Sequence, residues 1–132
     1  MKKSIDKLDV GIGTILAFPI LLIALYIVIE MVGYVANHAT TYMQTKGLTA
    51  YIEKSIEDVS IVDVYSFTGN TTGTGNHVEC ESKVTFNSGL SEDEVSQVFE
   101  KKYKEHVLEK KDGSYVITVY GDAPFRDNIE GH

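Results

Sequence analysis

The chain opens with a polar segment and then becomes almost entirely apolar over "GIGTILAFPILLIALYIVIEMVG", from Gly11 to Gly33. This stretch contains one ionisable side chain, Glu30. A helix of that length would reach roughly 34 Å at about 1.5 Å per residue, enough to cross a hydrocarbon core about 30 Å thick. A secretory signal peptide is the competing interpretation, but its apolar region would be only about 7–15 residues long. The pattern therefore predicts a membrane-spanning helix over residues 11–33.

Helical periodicity continues beyond this apolar stretch. Apolar or small side chains recur at helical spacing, and no proline interrupts the segment. These positions are Val35, Ala36, Ala39, Met43, Ala50, Ile52, Ile56 and Val59. We expect one continuous helix from about Gly11 to Asp58, with residues 34–58 as its continuation. Gly47 would loosen it locally, because glycine inside a helix costs about 1 kcal/mol relative to alanine.

From Val59 onward the period changes from helical to alternating. The segments "VSIVDVYSF" and "HVECESKVTF" predict two strands, and in the second the even positions from Val78 to Phe86 face inward. The segment between them, "TGNTTGTGN", has the composition of a loop. The two strands are therefore predicted to form a hairpin, and its exposed tip would consist of Asn70, Thr71, Thr72 and Gly73.

A second helix is predicted over "LSEDEVSQVFEKKYKEHVLEKK". Ser91 and Glu94 have the spacing of a capping box, and Leu90 with Val95 fits a hydrophobic staple. The buried stripe of this helix would comprise Val95, Val98, Phe99, Tyr103 and Val107. After a turn at Asp112-Gly113, "SYVITVYGD" predicts a third strand that is central or covered on both faces.

These elements predict an α+β fold, in which a long N-terminal helix precedes a small antiparallel sheet with one packed helix. Residues 59–124 would form the small domain, and residues 125–132 a polar tail. Lys2, Lys3 and Lys7 precede the apolar stretch, whereas the twelve residues after it contain no Lys or Arg. The positive-inside rule therefore places residues 1–10 in the cytoplasm and the small domain outside the cell.

The net charge and the possible metal-binding or catalytic residues limit the range of functions. Residues 60–132 carry seven Lys or Arg and thirteen Asp or Glu, a formal charge of −6, which argues against nucleic acid as a partner. His77, Glu79 and Glu81 share one strand face and form a conceivable metal site, but any half-exposed strand groups polar residues in this way. Cys80 with His77 or His106 is a conceivable thiol and base pair without a supporting motif. We expect no catalytic, cofactor or metal site and no small-molecule substrate.

The first 50 or so residues resemble the TadE-like pseudopilins, a type IV pilin-like family of subunits from tight-adherence and related secretion or conjugation systems. Gly11 and Gly13 match the position of the glycine in this family's N-terminal motif. The segment "ILAFP" ends at Pro19, and Glu30 lies eleven residues after that proline. The resemblance implies a helix that packs against copies of itself. Processing by a prepilin peptidase would fall after Gly11 or Gly13. The predicted assembly residues are Gly11, Gly13, Pro19, Glu30, Gly33, Tyr34, Ala36, Ala39 and Tyr42.

Two functional hypotheses follow. The leading one is a non-enzymatic, pilin-like structural subunit that assembles through its apolar helix into an extracellular filament or a secretion or conjugation apparatus. Its partners would be the membrane and copies of itself or related pilin-like subunits. The alternative is a single-pass, membrane-anchored binding or sensing module that meets a surface partner through the hairpin tip, Asn70 to Gly73.

Overall fold

The structure of the protein is a computed structural model that describes the backbone of residues 2–132 and the side chains of Lys7 and residues 9–132. The side chains of Lys2 and Lys3, on which the predicted orientation partly depends, lie outside the described residues. Within the described chain the elements are α1 (Lys2–Ser55), β1 (Ser60–Gly69), β2 (Glu79–Asn87), α2 (Glu92–Glu100), β3 (His106–Lys111), β4 (Ser114–Asp122) and a 3₁₀ helix (Ile129–Gly131). The α+β layout with a long N-terminal helix is confirmed.

Helix α1 is longer at its start and shorter at its end than the sequence predicts. It continues through both Pro19 and Gly47 and ends at Ser55 rather than at Asp58. The N–H of Ile56 still donates to the carbonyl of Ile52 at 3.0 Å. Asp58 then adopts a φ of +53°, in the left-handed region that ends a helix.

The chain forms two compact units, Met1–Val32 and Gly33–His132. We call Met1–Val32 unit 1 and Gly33–His132 unit 2. Unit 2 contains a four-stranded antiparallel sheet with the order β1-β2-β4-β3. The predicted hairpin is confirmed, since β1 pairs with β2 in a register that runs from Ser60 opposite Asn87 to Gly69 opposite Glu79. The third predicted strand is β4, and it is central, between β2 and β3.

The predicted second helix is too long. Helix α2 ends at Glu100, and residues His106–Lys111 form the strand β3 instead of its last turns. Val107, predicted to be buried on the helix, is 46% exposed on this strand. The reason is the turn that follows, because Asp112 and Gly113 have φ values of +53° and +83° and close a two-residue hairpin between Lys111 and Ser114. Positive φ at both central positions is the geometry of a type I′ turn, which matches the twist of paired strands.

The main core of unit 2 lies between the last turns of α1, helix α2 and one face of the sheet. Its buried members are Leu48, Ile52, Ile56, Val84, Phe86, Val95, Phe99, Tyr115, Ile117 and Val119. The predicted inward face of β2 is confirmed, since Val78, Cys80, Ser82, Val84 and Phe86 are all buried. The capping box of α2 is also confirmed, with Ser91 and Glu94 each satisfying the other's backbone N–H.

Candidate functional site

The most exposed apolar surface of the protein belongs to the first half of α1. Its large apolar side chains from Val10 to Val32 are between 49% and 72% exposed. From Ile20 to Ile29 every residue is apolar, so these side chains surround the helix instead of lining one side. By length and composition, this helix can cross a membrane.

Four of the predicted assembly residues lie on this segment. An added Cβ at Gly11 or Gly13 would meet no atom within 4 Å in the described chain, so both glycines lie open. Pro19 is accommodated inside the helix. A proline has no N–H to donate to the carbonyl of Ile15, four residues earlier, and that carbonyl needs another partner. Glu30 is half-buried near the end of the segment.

In unit 2, α1 presents a second apolar stripe to solvent. Val35, Tyr42 and Met43 are 65%, 60% and 72% exposed, and Ala39 lies exposed between them. Tyr34, 49% exposed, places its ring 4.1 Å from the His38 ring, measured between centroids. Of the predicted assembly residues, Tyr34, Ala39 and Tyr42 therefore face outward, and Ala36 is partly covered.

The opposite side of α1 carries polar residues that the sequence analysis missed. Asn37, Thr41 and Thr45 recur every four residues and are buried against the sheet and the C-terminal segment. Thr41 accepts a hydrogen bond from the Thr68 hydroxyl at 2.6 Å, and the Thr45 hydroxyl lies 2.7 Å from that of Ser82. Two features of the sequence could have revealed this buried polar side. Asn37, Thr41 and Thr45 are spaced four residues apart, and the polar Ser82 stands among the inward-facing positions of β2.

Gln44 extends this polar contact to the two central strands. Its side-chain amide donates to the carbonyl of Cys80 at 3.0 Å, to the hydroxyl of Ser82 at 2.9 Å and to the carbonyl of Val119 at 3.3 Å. Buried polar groups of this kind fix position more than they add stability, because each must keep its partner. The polar side of α1 therefore sets how the helix sits on the sheet within unit 2.

The C-terminal segment is held by the same side of α1. The Asn37 side chain accepts from the N–H of Phe125 and donates to its carbonyl, both at 2.9 Å, and it also donates to Glu130 at 2.8 Å. The other Glu130 carboxylate oxygen lies 2.9 Å from Nε2 of His38. Gly33 makes room for this segment, since an added Cβ would lie 2.5 Å from Asn128 Nδ2 and 3.2 Å from Phe125 Cγ. Residues 125–132 are thus packed against the helix.

The structure pairs His77 with Glu79 and gives Cys80, Glu81 and His106 other partners. Burial raises the pKa of the Cys80 thiol, and its sulfur lies 4.0 Å from the carbonyl of Asn37. His77 pairs with Glu79 at 3.1 Å, while Glu81 lies 3.7 Å from Lys83. His106 bonds the carbonyl of Tyr103 through Nδ1 at 2.7 Å. Within the described residues no group of three or more His, Cys, Asp or Glu side chains is placed to hold a metal ion.

The predicted hairpin tip is ordered by its own side chains. Asn70 donates to the carbonyls of Thr74, Gly75 and Gly131 and accepts from the N–H of Gly73. Its amide is therefore engaged, although Asn70-Thr71-Thr72 is formally a glycosylation acceptor. The exposed residues of the tip are Thr72 and Gly73, while Thr71 is partly covered and bonds Glu79.

Comparison of the chain with family models, curated proteins and solved structures finds no match.

Proposed function

We propose that this protein is a membrane-anchored, pilin-like structural subunit that assembles with copies of itself through its apolar helix. One observation carries the proposal: large apolar side chains surround α1 from Val10 to Val32 and are about half or more exposed. Monomeric soluble proteins rarely expose apolar patches beyond a few hundred Å². Lipid, neighbouring helices or both must cover this surface.

A groove on the apolar segment favours helix packing over a plain anchor. It is shallow and is lined by Thr14, Ala17, Phe18, Ile20, Leu21 and Ala24, a set that does not include Pro19. Small side chains such as Ala17 and Ala24 let helices approach closely in lipid, where association depends on van der Waals fit. A neighbouring helix or a local backbone adjustment also compensates the carbonyl that a proline leaves without its donor.

The exposed stripe of Val35, Ala39, Tyr42 and Met43 supports the same role in unit 2. A simple anchor requires apolar residues only within the membrane, yet these exposed apolar residues of α1 lie in unit 2, after Gly33. Aromatic residues and methionine are enriched at protein interfaces. We infer that neighbouring copies also contact one another along this stripe.

The sequence supports the proposed membrane orientation and the proposed family. The lysines before the span favour a cytoplasmic N-terminus and an external unit 2. The eleven-residue spacing of Pro19 and Glu30 is the basis for a TadE-like, type IV pilin-related subunit, with Gly11 or Gly13 as the site of any processing. Related pilin-like subunits are further candidate partners. The proposed role is assembly without catalysis, and its location is the cell membrane or an extracellular filament.

Replacement of the apolar segment tests this proposal. One variant would carry an unrelated leucine-alanine span of equal length in place of residues 11–32, and a second variant would carry only Ala17→Leu and Ala24→Leu. We expect all three proteins to fractionate with membranes. Electron microscopy of the detergent-free material should show ordered assemblies for the native chain, fewer for the double variant and none for the replacement.

The alternative function gives the opposite result. A single-pass binding or sensing module would keep its activity and its oligomeric state after the replacement, since it needs the span only as an anchor. Single copies of the native chain throughout the electron micrographs would also contradict the proposal. The exposed Thr72 and Gly73 would then be the first positions to examine for partner binding.

A further inference from the structure

The C-terminal segment, residues 125–132, keeps its two largest apolar side chains at the surface. Phe125 is 41% exposed, and Ile129 is 59% exposed. The segment is held to α1 through polar groups instead. The side chain of Asn37 accepts from the N–H of Phe125 and donates to its carbonyl, both at 2.9 Å. The apolar side chains of the segment therefore face the surroundings of the protein.

Phe125 lies beside the residue at which the apolar stretch ends. Gly33 directly follows Val32 in the chain and closes the stretch that begins at Gly11. A Cβ added at Gly33 would lie 3.2 Å from Cγ and 3.3 Å from Cβ of Phe125. In the membrane-inserted chain, the Phe125 side chain is therefore close to the point where the chain leaves the hydrocarbon core.

The polar groups of the segment lie further along α1, away from Gly33. The carboxylate of Glu130 accepts from Asn37 at 2.8 Å and lies 2.9 Å from Nε2 of His38. Asn37 and His38 are four and five residues beyond Gly33, a displacement of about 6–8 Å at about 1.5 Å per residue. The segment is therefore apolar beside the end of the span and ionisable beyond it, which matches the change from acyl chains to headgroups at a membrane surface.

The other exposed groups near Gly33 also suit a membrane interface. Tyr34 is 49% exposed, and tyrosine is enriched where a spanning helix meets the headgroups. Arg126 and Asp127 are exposed, and their formal charges cancel. Interfacial binding combines buried apolar area with attraction to anionic lipids. Because the two charges cancel, the apolar side chains supply the main attraction, and the lipid that covers this surface need not be anionic.

We propose that Phe125, Ile129 and Tyr34 form a second membrane contact, in which lipid at the headgroup boundary covers the C-terminal segment. Lipid is the occupant because this surface adjoins the end of the membrane-spanning stretch. The contact requires the membrane insertion of the proposed function but not assembly between copies. It holds unit 2 at the bilayer, since the segment also bonds the residue before β2, where the N–H of Val78 donates to the carbonyl of Arg126 at 2.8 Å.

Tryptophan fluorescence of the full-length chain in vesicles tests this contact. The chain contains no tryptophan, so a single introduced residue reports only its own surroundings. Phe125→Trp and Ile129→Trp would be reconstituted separately in phosphatidylcholine vesicles and in matching vesicles whose acyl chains are brominated near the headgroup. Bromine quenches tryptophan by contact, so a loss of emission identifies a side chain that touches lipid.

Two further variants on α1 bracket the expected range. Met31 is 64% exposed within the apolar stretch, and Met31→Trp is the reference for contact with lipid. Lys54→Trp is the matched aqueous control, because Lys54 is exposed in the last turn of the helix, twenty-one residues beyond Gly33, or about 32 Å at about 1.5 Å per residue. We expect Phe125→Trp and Ile129→Trp to emit at shorter wavelength than Lys54→Trp. Both should lose most of their emission in the brominated vesicles, as Met31→Trp does.

Three outcomes would overturn the contact, and they separate it from the proposed function. Emission of both variants equal to that of Lys54→Trp, with Met31→Trp quenched, would exclude the contact and leave membrane insertion standing. Emission at shorter wavelength without bromine quenching would assign the surface to a protein neighbour instead of lipid. A native chain that fails to float with the vesicles would contradict membrane insertion and, with it, the contact.

Discussion

Asn37 is the residue on which the packing of the C-terminal segment depends. Its fully buried amide forms hydrogen bonds with the N–H and the carbonyl of Phe125 and with the carboxylate of Glu130. Asn37→Ala removes all three and leaves these groups without their partner. We expect the free energy of unfolding to fall by about 2–3 kcal/mol, since an unsatisfied buried polar group costs about 1–3 kcal/mol. Urea unfolding in detergent, followed by near-ultraviolet circular dichroism of the tyrosines, measures this loss.

Hydrogen exchange separates this effect from a general loss of stability. The amides of residues 125–132 should exchange faster in Asn37→Ala than those of the central strands, because the released contacts belong to that segment. Asn76→Ala, an exposed position on the loop between β1 and β2, is the control and should change the unfolding free energy by less than about 0.5 kcal/mol. Uniform acceleration across unit 2 would contradict the assignment of Asn37 to the C-terminal segment.

At the scale of elements, the start of α2 depends on a capping box that contains a titratable group, the carboxyl of Glu94. The backbone N–H and the hydroxyl of Ser91 donate to Glu94 and hold the pKa of this carboxyl below its ordinary value of 4.5. The pKa of Glu94 is lower in the folded state than in the unfolded state. The cap therefore stabilises α2 fully when the pH is above the unfolded-state pKa, and this stabilisation is lost as the pH falls through the folded-state pKa. Glu94→Gln should therefore lower the melting temperature near pH 7 and change it progressively less as the pH is lowered below 4.5.

Circular dichroism melts of both proteins over this pH range measure the difference. Glu92→Gln is the matched control, because Glu92 lies in the same first turn and shares the favourable helix dipole without forming the capping box. An equal response of the two variants would assign the pH dependence to the dipole and not to the cap.

The hairpin of β3 and β4 depends on the backbone geometry of its turn. Gly113 has a φ of +83°, and an L-residue with a side chain pays about 1–2 kcal/mol in the left-handed region. Gly113→Ala should lower the unfolding free energy by about that amount in the same urea experiment. Gly89→Ala is the control, since no atom lies within 4 Å of the added Cβ and its φ is not positive. Equal effects of the two substitutions would contradict this account of the turn.

Helix α2 and strand β3 show which parts of the fold can be predicted from the sequence and which cannot. The capping box of Ser91 and Glu94 is local, so its spacing alone predicts the start of α2. Strand β3 was missed because "HVLEKK" has few apolar residues and Val107 continues the helical spacing of Phe99 and Tyr103. Pairing with β4 through the Asp112-Gly113 turn, a tertiary interaction, decides its conformation. Burial of Asn37 and Thr41 was missed for a related reason, since periodicity arguments assume that inward positions are apolar.

Across the whole molecule, burial is distributed very unevenly. All the buried hydrophobic side chains of the described chain lie between Leu48 and Ala123. The large apolar residues from Val10 to Val32 are exposed. Unit 2 therefore has a hydrophobic core of its own, whereas unit 1, Met1–Val32, needs lipid or other helices to cover it.

This distribution predicts that the fragment Gly33–His132 folds without unit 1. Because the core and the hydrogen bonds of Asn37 and Gln44 lie within the fragment, we expect a detergent-free protein with cooperative urea unfolding and the near-ultraviolet spectrum of the full chain. A second fragment that begins at Ala39 is the control, since it lacks Gly33, Asn37 and His38. It should release the C-terminal segment and lose about 2–3 kcal/mol of stability for the same reason as Asn37→Ala. A fragment from Gly33 that unfolds without cooperativity would show that the fold of unit 2 requires the apolar helix, and that anchoring and folding are not separable in this chain.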